Sequence, residues 1–123
     1  MKLVLLVGTG SFIGGAARYL LNTFFDGRIT FPYGTFCINI LGCFLIGVVF
    51  AFAAKLNFSN ETKLFLTTGI IGGFTTFSAF SNEIFILLKN SQFVAAVIYA
   101  GLSVFIGVLA TIIGYWAVNF IRG

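Results

Sequence analysis

Four long apolar runs divide the chain, and short polar stretches separate them. The first covers residues about 3–25 and ends at the polar triplet Asp26-Gly27-Arg28. The second covers about 32–54. It opens on Pro32, whose missing N–H costs nothing in the first turn of a helix. Lys55 to Lys63 is a polar connection. Within it Ser59 or Asn60 can cap the next helix, with Glu61 in the first turn, where negative charge suits the helix dipole. The third run covers about 64–88; the fourth covers about 93–121, bounded by Lys89-Asn90-Ser91 and Arg122. Each run is long enough for the ~20 residues a helix needs to cross a bilayer core. The pattern predicts an all-α membrane protein, a single transmembrane domain over 1–123 with four transmembrane helices and no separate soluble domain.

Composition narrows the function. Of 123 residues 59% are hydrophobic and 8% charged, where a soluble domain carries about 25% charged residues. The mean hydropathy is +1.10. An ordinary soluble enzyme, a disordered chain and a nucleic-acid binder working through a basic face are excluded. The chain has no histidine, which removes His-based catalysis and His metal ligation. With no nucleophile–base pair legible, an enzyme is not expected. Lys2 followed by an apolar stretch and Gly15-Ala16-Ala17 imitates a signal peptide, but the run continues past that point and reads as a span.

The net charge of +4 comes mostly from cations at the edges of the runs, where they anchor helices at the interface. Four spans put both termini on one side with Lys2, Lys55, Lys63 and Arg122, against Arg28 and Lys89, with Arg18 able to snorkel toward the latter. So weak a bias permits a fixed orientation with the termini in the cytoplasm or insertion in both orientations. Cys37 and Cys43 share the second run. Six residues place them roughly 240° apart around a helix, so they cannot pair within it, and they read as two free, buried thiols.

Polar and small residues inside the runs carry the remaining information. Gly8-Thr9-Gly10 with Gly14 imitates a dinucleotide-binding loop but lacks the strand such a loop requires. Gly10 and Gly14 read better as a face for close helix contact. Arg18 extends that face by one turn, either in specific pairing or in snorkelling. Asn39 is the one strongly polar side chain in the middle of the second run. Its amide can join helices or offer N–H donors to an anion. The third run holds Gly72-Gly73-Phe74-Thr75-Thr76 near its middle, poor material for an unbroken helix. A break at the midplane exposes main-chain polar groups, which lipid forbids unless protein or an ion satisfies them. Phe77 and Phe80 share a face beside Thr75, Ser78 and Ser81. Positively polarised ring edges with hydroxyls make an anion path without full positive charges, although with 17 phenylalanines most must face lipid. Tyr99, Ser103, Gly107 and Thr111 recur every four residues as one stripe, a packing seam or a pore wall.

Three stretches together resemble the Fluc (CrcB) fluoride channel family: Gly14-Gly15-Ala16-Ala17-Arg18-Tyr19, Gly34-Thr35-Phe36-Cys37-Ile38-Asn39, and above all Gly72-Gly73-Phe74-Thr75-Thr76-Phe77-Ser78-Ala79-Phe80-Ser81. The resemblance implies a third helix broken near its midpoint and an antiparallel dual-topology homodimer with two fluoride pores. It implies passive, fluoride-selective export from the cytoplasm across the inner (plasma) membrane, and hence fluoride resistance. It implies a structural Na⁺ on the main-chain carbonyls of Gly72 and Thr75. On the same resemblance the fluoride pathway comprises Asn39, Phe77, Phe80, Ser78, Ser81, Tyr99, Ser103 and Thr111, with Arg18 structural or at the pore mouth. Fluoride, membrane lipid and a second copy are the implied partners. Ala79 and Gly107 depart from the family pattern, each removing a hydroxyl from the polar track. A four-helix multidrug transporter is the competing class; it needs a membrane-embedded carboxylate, and the first run's only charge is Arg18, while Glu83 lies near the end of the third run. A non-transporting membrane subunit would explain the glycine faces but not a broken helix.

Overall fold

The computed structural model describes residues 1–25 and 32–121. All regular structure in these residues is helical. Helix α1 is Lys2–Phe25 and α2 is Tyr33–Lys55. The third span is composite: α3 (Asn60–Leu64), a π-helical stretch (Phe65–Ile71), the single turn α4 (Gly72–Phe74), and α5 (Phe77–Lys89). Helix α6 is Phe93–Ile121. Among the described residues four units, with Asn60–Lys89 counted as one, are long and apolar enough to cross a membrane. The Asp26-Gly27-Arg28 breaker and Arg122 lie outside the described residues.

The helix ends follow from local chemistry. Ser59 is the N-cap of α3, its hydroxyl accepting the Thr62 N–H at 3.2 Å. The third span therefore begins at Asn60 rather than near 64, because the cap and first turn are polar while still helical. Pro32 stands just outside α2, its carbonyl accepting the Phe36 N–H at 3.2 Å. Helices α2 and α5 end alike. Asn57 and Ser91 adopt left-handed φ of 50° and 59°, and the next residue's N–H folds back, Phe58 to Ala53 at 3.1 Å and Gln92 to Leu87 at 2.8 Å. This closure satisfies carbonyls that a helix end leaves unpaired and turns the chain within three or four residues.

Two helix pairings organise the bundle. Helix α2 packs along α6, and α1 packs along the π-helical stretch and α4. Without a hydrophobic drive between helices in lipid, close backbone contact through small residues supplies the packing energy. A Cβ on Gly47 would run into the Thr111 carbonyl, and one on Gly114 into the Phe44 carbonyl. On the other pairing, a Cβ on Gly10 would stand 2.8 Å from the Gly69 Cα, and one on Gly14 would overlap the Ile70 carbonyl. The glycine pair of the first run is thus a packing face, as its spacing predicts. The expected burial of both cysteines is half wrong: Cys37 is exposed on the outer side of α2, and Cys43 is partly buried. In a membrane helix an apolar thiol is tolerated facing outward, so composition alone does not send it inside.

Candidate permeation site

The break lies at Thr75 and Thr76. Both have extended backbones, with φ/ψ of −84°/156° and −146°/118°. Two extended residues inside a membrane span release N–H and C=O groups that the helix would otherwise pair. Asn39 on α2 answers both sides of Thr76. Its Nδ2 donates to the Thr76 carbonyl at 3.0 Å, and its Oδ1 accepts the Thr76 N–H at 2.9 Å. The Thr76 hydroxyl then caps the new helix α5 by accepting the Ala79 N–H at 3.2 Å. On the opposite side Arg18 of α1 donates through Nε to the Gly73 carbonyl at 3.2 Å. A cation there faces the carbonyl end of α4, where it is electrostatically favoured. Arg18 is therefore engaged in specific pairing rather than snorkelling to an interface. Among the described residues no hydrogen bond reaches the Thr75 carbonyl, and Gly72 lies exposed beside it.

In front of the break is a cavity of about 310 Å³. Asn39, Thr75 and Thr76 form its polar wall, Phe77 and Phe80 flank it, and Ser103 of α6 faces them. The two rings are 5.5 Å apart at 45°. Phe80 is partly buried, while Phe77 is 79% exposed and stands out from the bundle. The Ser103 hydroxyl oxygen is buried and has no hydrogen-bond partner among the described residues. Native structures satisfy nearly all such groups, so a partner outside the described residues is expected here.

The stripe on α6 divides. Ser103 lines the cavity. Gly107 and Thr111 belong to the seam with α2, where the Thr111 hydroxyl shares its proton between the carbonyls of Cys43 at 2.9 Å and Gly107 at 3.2 Å. Tyr99 is 0% exposed and lies behind Phe80, ring centroids 5.1 Å apart. Its hydroxyl donates to Glu83 Oε2 at 2.7 Å. The other Glu83 oxygen accepts from Thr35 at 2.5 Å. Glu83 thus ties α2, α5 and α6 together directly behind the aromatic pair. This carboxylate is the residue that sequence reasoning underrated. An acid inside an apolar run is a functional candidate by default, and that signal was available. Ser78 and Ser81 are exposed on α5, Ser78 with its hydroxyl 3.3 Å from that of Thr76. The structure therefore gathers Asn39, Thr75, Phe77, Phe80 and Ser103 into one cavity, places Tyr99 behind it, and leaves Thr111 in the packing seam.

A family model described as CrcB-like protein, Camphor Resistance (CrcB), matches residues 5–115. A protein of Phocaeicola vulgatus named fluoride-specific ion channel FluC is 43% identical over 118 residues, covering 94% of this chain and 98% of its own. One of the same name from Flavobacterium psychrophilum is 46% identical, covering 90% and 92%. Another, from Granulibacter bethesdensis, is 46% identical over 127 residues, with both chains covered completely.

Proposed function

The chain belongs to the CrcB-like family, and from that premise we propose that it is a passive, fluoride-selective ion channel. The observation that carries this reading is the cavity itself. An extended Thr75-Thr76 backbone, a clamped amide, two phenylalanines and Ser103 line it together. Fluoride is small, hard and strongly hydrated. It enters such a site only if donors replace its water, and leaves only if no full positive charge holds it. Hydroxyl groups and ring edges meet both needs, and the Arg18 guanidinium is occupied elsewhere, on the Gly73 carbonyl.

The functional unit is an antiparallel homodimer with two pores in the inner (plasma) membrane, exporting fluoride from the cytoplasm. Phe77 supports this: a ring 79% exposed beside an open groove forms one wall of a pathway that a second copy completes. The carbonyls of Gly72 and Thr75 are hard oxygen donors at the surface of the break, and they fit a small hard cation. With the same pair from the second copy they would hold a structural Na⁺, which would neutralise the carbonyl ends there; it is not transported. Sodium is then expected to protect the purified dimer against thermal dissociation, relative to N-methylglucamine.

Flux from liposomes containing only this protein tests the function. Fluoride is expected to leave down its own gradient with no coupling ion, and chloride to remain. Equal chloride flux, or dependence on a proton gradient, overturns the reading. A C-terminal tag is expected to be labelled from both membrane faces; label on one face only overturns dual topology.

A further inference from the structure

Helix α2 meets the break at two points on one face. Asn39 clamps the Thr76 backbone. Gly42, three residues on and so on the same side of the helix, lies against Thr75. Gly42 is buried and lines the cavity together with Thr75. A Cβ built on it would overlap the Thr75 methyl, Cγ2, while the Phe74 ring would stand at an ordinary contact distance of 3.5 Å. The missing side chain of Gly42 is therefore the seat of that methyl. On the other branch of the same Cβ, the Thr75 hydroxyl donates to the Ile71 carbonyl at 3.1 Å, and this carbonyl also accepts the Thr75 N–H at 3.0 Å. Methyl and hydroxyl turn together about one bond, and a β-branched side chain has few staggered positions to choose from. Seating the methyl on Gly42 thus fixes the hydroxyl on Ile71.

We infer that Gly42 is a positioning residue of the anion path, acting through the Thr75 rotamer; this rests on the cavity being that path. A hydroxyl has one proton to donate. With that proton spent on Ile71, Thr75 offers a passing anion no side-chain donor at the break. A Cβ at residue 42 evicts the methyl from its seat, and the structure then has two ways to give. Thr75 turns and drops its bond to Ile71, which frees a donor that holds an anion instead of passing it. Otherwise α2 backs away from the break and draws Asn39 off the Thr76 backbone. Both outcomes slow passage, and both are relieved by removing the methyl alone. Gly47, further along α2, has no such link to the break, because its obstacle is the Thr111 carbonyl in the seam with α6.

The test is a double-variant rescue read by fluoride efflux from liposomes and by melting curves in detergent. Gly42→Ala is expected to cut flux about tenfold or more, equivalent to ~1.4 kcal/mol or more at the barrier. Thr75→Ser deletes the methyl and keeps the hydroxyl. Adding it to Gly42→Ala is expected to bring flux back to within about threefold of Thr75→Ser alone, a small fraction of that barrier change. Undiminished flux in Gly42→Ala, or a loss that Thr75→Ser does not relieve, overturns the inference. Should Thr75→Ser itself not conduct, the melting curves decide. Gly42→Ala must lower the melting temperature more in the parent than in the Thr75→Ser background, and an equal drop in both overturns the inference. Should Gly42→Ala not fold, a folded double variant supports the seat and an unfolded one defeats it. A parent that passes no fluoride defeats the channel reading, whereas the coupling seen in melting tests the seat separately.

Discussion

In the seam between α2 and α6, glycines let two unbroken helices touch, and the Thr111 hydroxyl is satisfied by carbonyls within the seam. In the third span the same residue types have another outcome. Gly10 and Gly14 seat α1 against the π-helical stretch and α4, but at Thr75-Thr76 the helix opens and α2 must reach across with Asn39 to hold it. Glycine and threonine therefore do not by themselves make either a seam or a break. What decides is whether a side chain opposite can take over the backbone hydrogen bonds. The seam is self-sufficient, whereas the break depends on one amide.

That contrast makes Asn39→Leu the most damaging substitution. It strands the Thr76 N–H and C=O, each costing roughly 1–3 kcal/mol, so stability is expected to fall by about 2–6 kcal/mol and fluoride flux to vanish. A fully conducting Asn39→Leu would show that the break holds itself. Phe80→Ile leaves the backbone alone and removes only the ring edge. Loss of about 3 kcal/mol at the barrier slows passage roughly a hundredfold, with the protein still purifying intact. Phe105→Ile, on the exposed side of α6, is the matched control and is expected to leave flux unchanged.

Within the seam, Gly47→Val drives a branched side chain into the Thr111 carbonyl. Overpacking of this kind costs about 1–3 kcal/mol, to be read from detergent melting curves. Gly101→Ala, with open space around it, is expected to be neutral. Glu83→Gln keeps one acceptor but turns an amide N–H toward a hydroxyl donor. About 1–2 kcal/mol of stability should be lost, with flux falling through displacement of Tyr99 and the Phe80 ring it supports. The smallest effect belongs to the turn after α5. Ser91→Gly relieves a left-handed φ of 59° and should raise stability by up to about 1 kcal/mol, leaving flux untouched.

Much of this architecture is legible in the residues. Four apolar runs of spanning length announce the helices, and the Gly72-Gly73 and Thr75-Thr76 pairs announce the break, because both act through local chemistry. Asn39 stands out as a polar residue in lipid, but its target lies 37 positions away and only the fold shows it. The α6 stripe looks uniform by spacing, yet Ser103 faces a cavity and Thr111 a helix, since periodicity gives a face and not what lies opposite it. Glu83 is the instructive miss. Its partners Thr35 and Tyr99 come from other helices, 48 and 16 residues distant, and close to the end of a run an acid looks like an interfacial residue.

The position of the clamp has a consequence for biosynthesis. Ribosomal synthesis is directional, so α2 is already made when Asn60–Lys89 emerges. The partner of the orphaned Thr76 groups, Asn39, is made before those groups exist, and the third span can leave the helical state on arrival instead of being unwound later. The last element made, α6, brings Tyr99 to Glu83 and closes the seam on Cys43. A chain truncated before Phe93 would therefore hold the break but lack the cavity's Ser103 wall, which marks the arrival of α6 as the moment the site becomes complete.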